Sequence, residues 1–470
     1  MVKLWWTALA AALVLFVGEA SGSATSRQDL TIRMDDGVSI AATLYLPDGA
    51  PPAAGWPGIV FLHGLAGNRT QMNALAETSG FVGQQYAVLA FDARGHGESG
   101  GLVTIDGPRE IADVRSLFQW LADRPDVDGN NIGAWGISYG GGAALNSLVA
   151  GVPWAAVVGV ETWTDLYSAL APQGLVKSGL VAGLAGSIPE AKRDPSLAAV
   201  QAAAFGGNAA AVRPWAAERS SLSRLGSVTT PVFLAPGRRD FLFGIDQSAR
   251  GFQAVRGPKV LYVGLHGHAP STFPAADAPV LMARAKEFFD CWLVSATCNA
   301  PQASVYIASE NFTGTVARRG ATLPPVSPTV VAFPGVSTFA KTGKAVRSAP
   351  LRRAVEVFGS PTIKTSVAAS GGWSRLVAVL TARTPQGKEI VVSAGGVPTK
   401  SGAQKLTIRL ANQATFIPRG SRLTLTLASS SLAQSTSNLL YLDLPMLPTA
   451  RVRVGSAVLT LPGLRTPVTR

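Results

Sequence analysis

The sequence predicts two domains in series, an α/β domain built on a mostly parallel sheet covered by helices, then an all-β sandwich or jelly roll. Three observations predict it. Between about residues 29 and 290, short apolar runs alternate with amphipathic helical stretches. From about residue 301, helical periodicity fades and β-branched, alternating segments take over. The composition, 47% hydrophobic and 15% charged over 470 residues, provides for more than one core and excludes a disordered chain.

The first 24 residues read as a secretory signal. Lys3 supplies the positive start, residues 4–18 form an apolar run broken by Thr7, and Gly22-Ser23-Ala24 or Gly18-Glu19-Ala20 suits a peptidase cut. The run is shorter than the ~20 apolar residues that a membrane span needs. A secreted or cell-envelope location is therefore expected.

Residues 25–300 carry the α/β pattern. Segments 30–34 and 39–46 flank Asp36-Gly37 as an opening hairpin. Buried strands follow at 59–62, 86–91, 132–135, 156–160, 232–235 and 260–263. Pro108 opens a helix whose Ile111, Val114, Leu117, Phe118 and Leu121 make one apolar stripe. Further helices are expected at 143–149 and 283–292. Residues 161–228, rich in Ala, Leu and Trp, interrupt the rhythm and read as a helical cap over the strand ends, where ligands bind in such sheets. Residues 301–470 form the second domain, with strands at 355–358, 363–368, 376–381, 405–410 and 422–427 separated by turns such as Pro385-Gln386-Gly387. The boundary lies in the Pro/Ser-rich stretch 299–335.

The chemistry concentrates at strand ends. Gly136-Ile137-Ser138-Tyr139-Gly140 follows one strand directly and precedes a helix of small residues. Flanking glycines permit the tight turn that exposes a serine hydroxyl, and the helix N-terminus with the Tyr139 N–H favours developing negative charge. Ser138 is the candidate nucleophile. At the end of the first buried strand, His63-Gly64-Leu65 turns sharply enough for the Leu65 N–H to serve as the second oxyanion donor. His63, early in the chain, and His96, in a polar Gly-rich loop, read as structural.

Acid and base are sought downstream of Ser138. Asp240 follows the strand at 232–235 and is placed to orient an imidazole. His266 and His268 both follow the last strand of this pattern, and His268 is favoured because it lies farther into the loop, after a glycine. A metal held by His266, His268 and Asp240 is set aside, since a serine nucleophile needs no open coordination position. No cofactor is expected. Cys291 and Cys298, the two cysteines of the chain, suit a small disulfide in an oxidising compartment.

The net charge of +13 is uneven. Residues 301–470 hold 20 Lys and Arg against four Asp and Glu, and residues 1–300 are slightly acidic. The second domain is thus suited to weak contact with anionic cell-wall polymers, alongside the plainer reading of a solvated basic surface. Nucleic acid is excluded by the absence of any reading motif.

The whole pattern resembles the X-Pro dipeptidyl-peptidase and cocaine esterase family of serine hydrolases over nearly all of the chain after residue 24. The residues that carry the resemblance are Asp92-Ala93-Arg94-Gly95-His96-Gly97-Glu98-Ser99-Gly100-Gly101, the Ser138 turn, the helical insertion before Asp240, Val357-Phe358-Gly359-Ser360-Pro361 and Ile417-Pro418-Arg419-Gly420. The spacing from Gly264 to His268 also matches the family's catalytic histidine. The chain departs from the family at His63-Gly64-Leu65, where an Asn-Pro-Tyr-like sequence is usual. The resemblance implies an α/β-hydrolase fold with a galactose-binding-like jelly roll, and cleavage of an ester or Xaa-Pro peptide bond through an acyl-enzyme. For amine capture by a peptidase, Glu161, Asp165, Glu190 and Glu218 are available. The alternative is a wall- or polysaccharide-binding protein whose hydrolase domain is vestigial.

Overall fold

The computed structural model describes residues 25–83, 85–295 and 297–469. The expected signal at 1–24 lies outside the described residues. Among those described, no helix is long and apolar enough to cross a membrane.

The first domain is built on a sheet of ten strands. β1 (Thr25–Arg33) and β2 (Ser39–Pro47) form the opening hairpin around Asp36-Gly37. β3 (Trp56–Leu62) then leads into α1 (Arg69–Thr78), β4 (Ala87–Phe91) into α2 (Pro108–Ala122), and β5 (Val127–Ile137) into α3 (Tyr139–Val149). β6 (Ala156–Val160) opens into a cap of four helices, α4 (Leu166–Leu170), α5 (Ser178–Ser187), α6 (Ser196–Phe205) and α7 (Ala209–Glu218). The chain returns through β7 (Val232–Ala235), α8 (Ile245–Ala254), β8 (Lys259–Val263) and α9 (Ala278–Phe289).

The sheet does not stop at residue 301. β9 (Ala303–Ile307) pairs parallel with β8, and β10 (Arg318–Gly320) pairs antiparallel with β9. An alternating segment such as Ala303–Ile307 announces a strand but not the sheet that it joins. The strand order is β1-β2-β4-β3-β5-β6-β7-β8-β9-β10. Connections diverge between β3 and β5, and that switch point opens a crevice at the strand ends. Leu62 and Gly136 are register partners there, so the turns carrying His63 and Ser138 stand side by side.

Apolar periodicity decides which faces are buried. Ile111, Val114, Leu117, Phe118 and Leu121 of α2 are buried against the sheet, each such side chain contributing about 1.5–3 kcal/mol. Two helices start earlier than their periodicity indicates, α3 at Tyr139 and α9 at Ala278. In α3 the run Gly140-Gly141-Gly142 reads as a turn, yet tertiary contact holds it helical. α9 continues into a π-helical turn, Asp290–Val294, whose Cys291 is disulfide-bonded to Cys298.

The second domain consists of an eight-stranded and a four-stranded sheet, enclosing a core that includes Val357, Ile363, Leu380, Ile408 and Leu425. Its strands pair antiparallel throughout. Val377, Val379 and Ala394 of the smaller sheet cluster with Phe241 of the first domain. The larger sheet exposes Lys364, Lys405, Arg451 and Arg453, whereas the one carboxylate in its strands, Glu356, is buried.

Glu356 joins the domains. It accepts from Arg238 at 2.6 Å, with both side chains inaccessible to solvent. Arg238 follows β7 and also donates to the Ala308 carbonyl at 2.7 Å, while the Val468 amide and the Thr469 amide and hydroxyl donate to the carboxylate. Breaking such a pair strands a buried charge. Glu356→Gln is expected to lower stability by about 3–5 kcal/mol in urea unfolding.

Candidate active site

Ser138 is the sole residue between β5 and α3, and it sits at φ 54°, ψ −114°. The two glycines of its motif are required by space. A Cβ on Gly136 would lie 2.2 Å from the Gly140 carbonyl oxygen, and one on Gly140 would lie 2.1 Å from the Leu62 carbonyl oxygen. The bend is then pinned. The Ser138 N–H donates to Val160 O (2.8 Å), and the Ser138 carbonyl accepts from the Thr162 hydroxyl (2.8 Å) and the Gly142 N–H (3.0 Å).

Three of the predicted residues meet here. Ser138 Oγ lies 2.9 Å from His268 Nε2, and His268 Nδ1 lies 2.7 Å from Asp240 Oδ2. Asp240 is fully buried, and its other oxygen accepts from the Leu242 and Phe243 N–H groups at 2.8 Å each. Burial pushes the Asp240 pKa up, but the His268 ring and these backbone donors outweigh it and hold the carboxyl below its usual range. Burial also opposes charge on His268, yet Asp240 and then Glu161 outweigh it and raise the imidazole above its usual value.

The remaining histidines are elsewhere engaged. His266 is buried, with Nε2 3.1 Å from Ala235 O and Nδ1 3.8 Å from Asp277. His63 accepts from the Ala93 N–H at Nε2 (2.9 Å) and faces its neighbour's carbonyl, Gly64 O, through Nδ1 (2.7 Å). Burial and the adjacent His96 lower the His63 pKa to about 4, so the ring is neutral and serves as a strut beneath the Gly64-Leu65 turn. His266 does not join the His268–Asp240 pair, so the set His266, His268 and Asp240 does not converge on one point.

The predicted oxyanion donors border the same space. Leu65, Ser138 and Tyr139 all line a cavity of about 390 Å³ beneath the cap. Among the described residues, neither the Leu65 nor the Tyr139 N–H has a backbone acceptor. The walls are apolar, with Leu170, Val181, Leu184, Val212 and Trp215 prominent. Of the carboxylates considered for amine capture, Asp165 caps α4 and faces Arg250, and Glu218 pairs with Arg219. Glu190 borders the cavity and is exposed.

Two groups at the site have roles that sequence reasoning missed. Glu161 directly follows β6 and lies beside Asp240 and His268, a placement that its position just past a strand's C-terminal end signals. Lys177 emerges from the cap, is buried, and donates to Phe241 O (2.8 Å) and Leu242 O (2.9 Å), tying the cap to the Asp240 loop. Nothing in its Ala/Leu-rich surroundings announces it.

Comparison with known proteins gives the following. Residues 36–270, half of the chain, match the X-Pro dipeptidyl-peptidase (S15) family. The chain is 33% identical over 155 residues to the quorum-quenching protein AidA of Acinetobacter baumannii, covering 32% of this chain and 48% of that protein. It spans about half or less of the length of the curated relatives it matches. A CocE/NonD family hydrolase from Staphylococcus aureus superposes with a TM-score of 0.71 at 15% identity, covering 93% of this chain and 94% of that one. An α-amino acid ester hydrolase gives 0.65 at 15% identity, covering 97% and 100%. At such identities the likeness is one of fold, an α/β-hydrolase domain followed by antiparallel β-sheets.

Burial lowers the Lys177 pKa to about 8 from an ordinary 10.5. Between those values the unfolded chain holds a proton that the folded chain has lost, so stability rises with pH through that window. Unfolding measured between pH 8 and 10.5 is expected to show this gain, and Lys177→Met to abolish it.

Proposed function

The chain belongs to the X-Pro dipeptidyl-peptidase (S15) family of serine hydrolases, and from that premise we propose that Ser138, His268 and Asp240 form a catalytic triad that hydrolyses esters of apolar acids. The observation that carries this reading is the continuous hydrogen-bonded line from Ser138 Oγ through His268 to Asp240. Ser138 Oγ attacks the ester carbonyl carbon while His268 Nε2 takes its proton. The Leu65 and Tyr139 N–H groups receive the negative charge that develops on the carbonyl oxygen. Asp240 holds the Nδ1–H and stabilises the charged ring. The leaving alkoxide departs with the proton from His268. Water, deprotonated in turn by His268, then attacks the acyl carbon, the bond to Ser138 Oγ breaks, and the proton on His268 returns to Ser138 as the acid leaves.

The lining of the cavity supports an apolar acyl group as the preferred substrate part. Arg193 and Asp194 also border it, but their side chains are spent locally on Ile188 O and Ser196. Glu190 alone favours the second reading, cleavage of Xaa-Pro bonds with the substrate amine held by that carboxylate. Export is part of the proposal too. The Cys291–Cys298 disulfide supports an oxidising compartment, and the cationic face of the larger sheet supports weak affinity for anionic cell-wall polymers.

Ser138→Ala is expected to abolish fluorophosphonate labelling and to cost at least about 10⁴-fold in ester turnover. A panel of aryl esters against dipeptidyl-Pro anilides separates the two substrate readings. Ala185→Trp, which fills the cavity, is expected to depress hexanoyl ester turnover about tenfold more than acetyl ester turnover. Retention on an anionic polymer column that is lost as salt is raised checks the surface reading.

A further inference from the structure

We propose that Glu161 is a second carboxylate for His268, a positioning residue that shares control of the imidazole with Asp240. The inference rests on the triad reading above and adds a residue to it.

Geometry comes first. Oxygen atoms of Glu161 and Asp240 and a ring nitrogen of His268 lie within 4.8 Å of one another. Glu161 is 3% exposed, and its Oε1 is buried with no hydrogen-bond partner among the described residues. A carboxylate in that condition is costly and persists where surrounding charge offsets the cost. The backbone is constrained as well. Glu161 holds φ at 49°, unusual for a residue with a side chain, and its N–H is fixed to Ala235 O at 2.8 Å. The strained turn thus sets the carboxyl beside the His268–Asp240 pair, while the His266–Asp277 pair acts on it electrostatically.

Those four side chains are the charged groups that act on Glu161. Burial raises its pKa to about 7, the two histidines lower it, and Asp240 and Asp277 raise it. Lys177, on the cap side, acts on His268 in the opposite sense to Glu161. The consequence for turnover follows directly. When His268 takes the Ser138 proton, positive charge appears on the ring, and a nearby ionised Glu161 stabilises it without touching the substrate. Asp240 is saturated with backbone donors, whereas Glu161 is free to respond to that charge.

The test is the acid limb of kcat/KM, measured on an ester with Glu161→Gln. Loss of the carboxylate makes His268 less basic, so the limb is expected to move to lower pH by about one unit, with kcat reduced and KM within about twofold. A limb at the wild-type position overturns the proposal. Should Glu161→Gln not fold, the His268 ring is titrated by NMR in Ser138→Ala with Glu161 intact. Two coupled steps are then expected, and a single-site curve overturns the proposal. An unchanged limb together with an inactive Ser138→Ala sinks only the role of Glu161. An active Ser138→Ala sinks the triad reading itself.

Discussion

The arrangement depends on one buried ion pair, Arg238 with Glu356. Arg238 stands two residues before Asp240, and Glu356 lies in the larger sheet of the second domain. Two charges withdrawn from water are costly unless every remaining lone pair and proton is engaged. Here the Ala308 carbonyl, the Val468 and Thr469 amides and the Thr469 hydroxyl engage most of them, and the buried Arg238 Nε is left without a partner among the described residues. Further bonds reinforce the junction. Gln413 donates to the Asp240 carbonyl at 2.7 Å, and the Ala414 N–H donates to the Arg238 carbonyl at 2.7 Å. The loop that presents Asp240 is therefore gripped by the second domain on one side and by Lys177 of the cap on another.

The Ser138 side is held by a different principle, close approach of backbone. Gly136 and Gly140 permit contacts that no Cβ tolerates, so β5, α3 and the end of β3 converge on Ser138. The loop between Asp92 and Ser99 supports this region with charge rather than contact. Arg94 forms a two-pronged bond to Asp113 at 2.7 Å for each prong, and Ser99 links the Asp92 carbonyl to the Ala41 amide. His96 sits within this network and beside the Tyr139 ring, at 5.4 Å between centroids.

Local patterns carried much of this into the sequence. Alternating strands and helices, the glycine-flanked serine and the apolar stripe of α2 are short-range signals, and the fold class followed from them. The meeting of Asp240 and His268 with Ser138 was legible because chain order narrows the candidates, and of four histidines only His266 and His268 follow Ser138. What was hidden depends on long-range meeting. Glu356 reads as one more residue of an alternating strand, Lys177 carries no signal of its own, and Glu161 reads as one of four carboxylates available for amine capture. Their roles exist only once residues more than sixty positions apart, and up to 118 for Arg238 and Glu356, are brought together. The extension of the first sheet by β9 and β10 belongs in the same class, since hydrogen-bond partners are not written in a strand's own alternation.

The grip of the second domain on the Asp240 loop has a thermodynamic corollary. Melting the second domain alone would release that loop, so the two cores are thermodynamically coupled through it. Catalysis thereby becomes a reporter of distant integrity. Damage anywhere along the jelly roll's seam with the hydrolase would register first as slowed turnover, before any loss of helical signal.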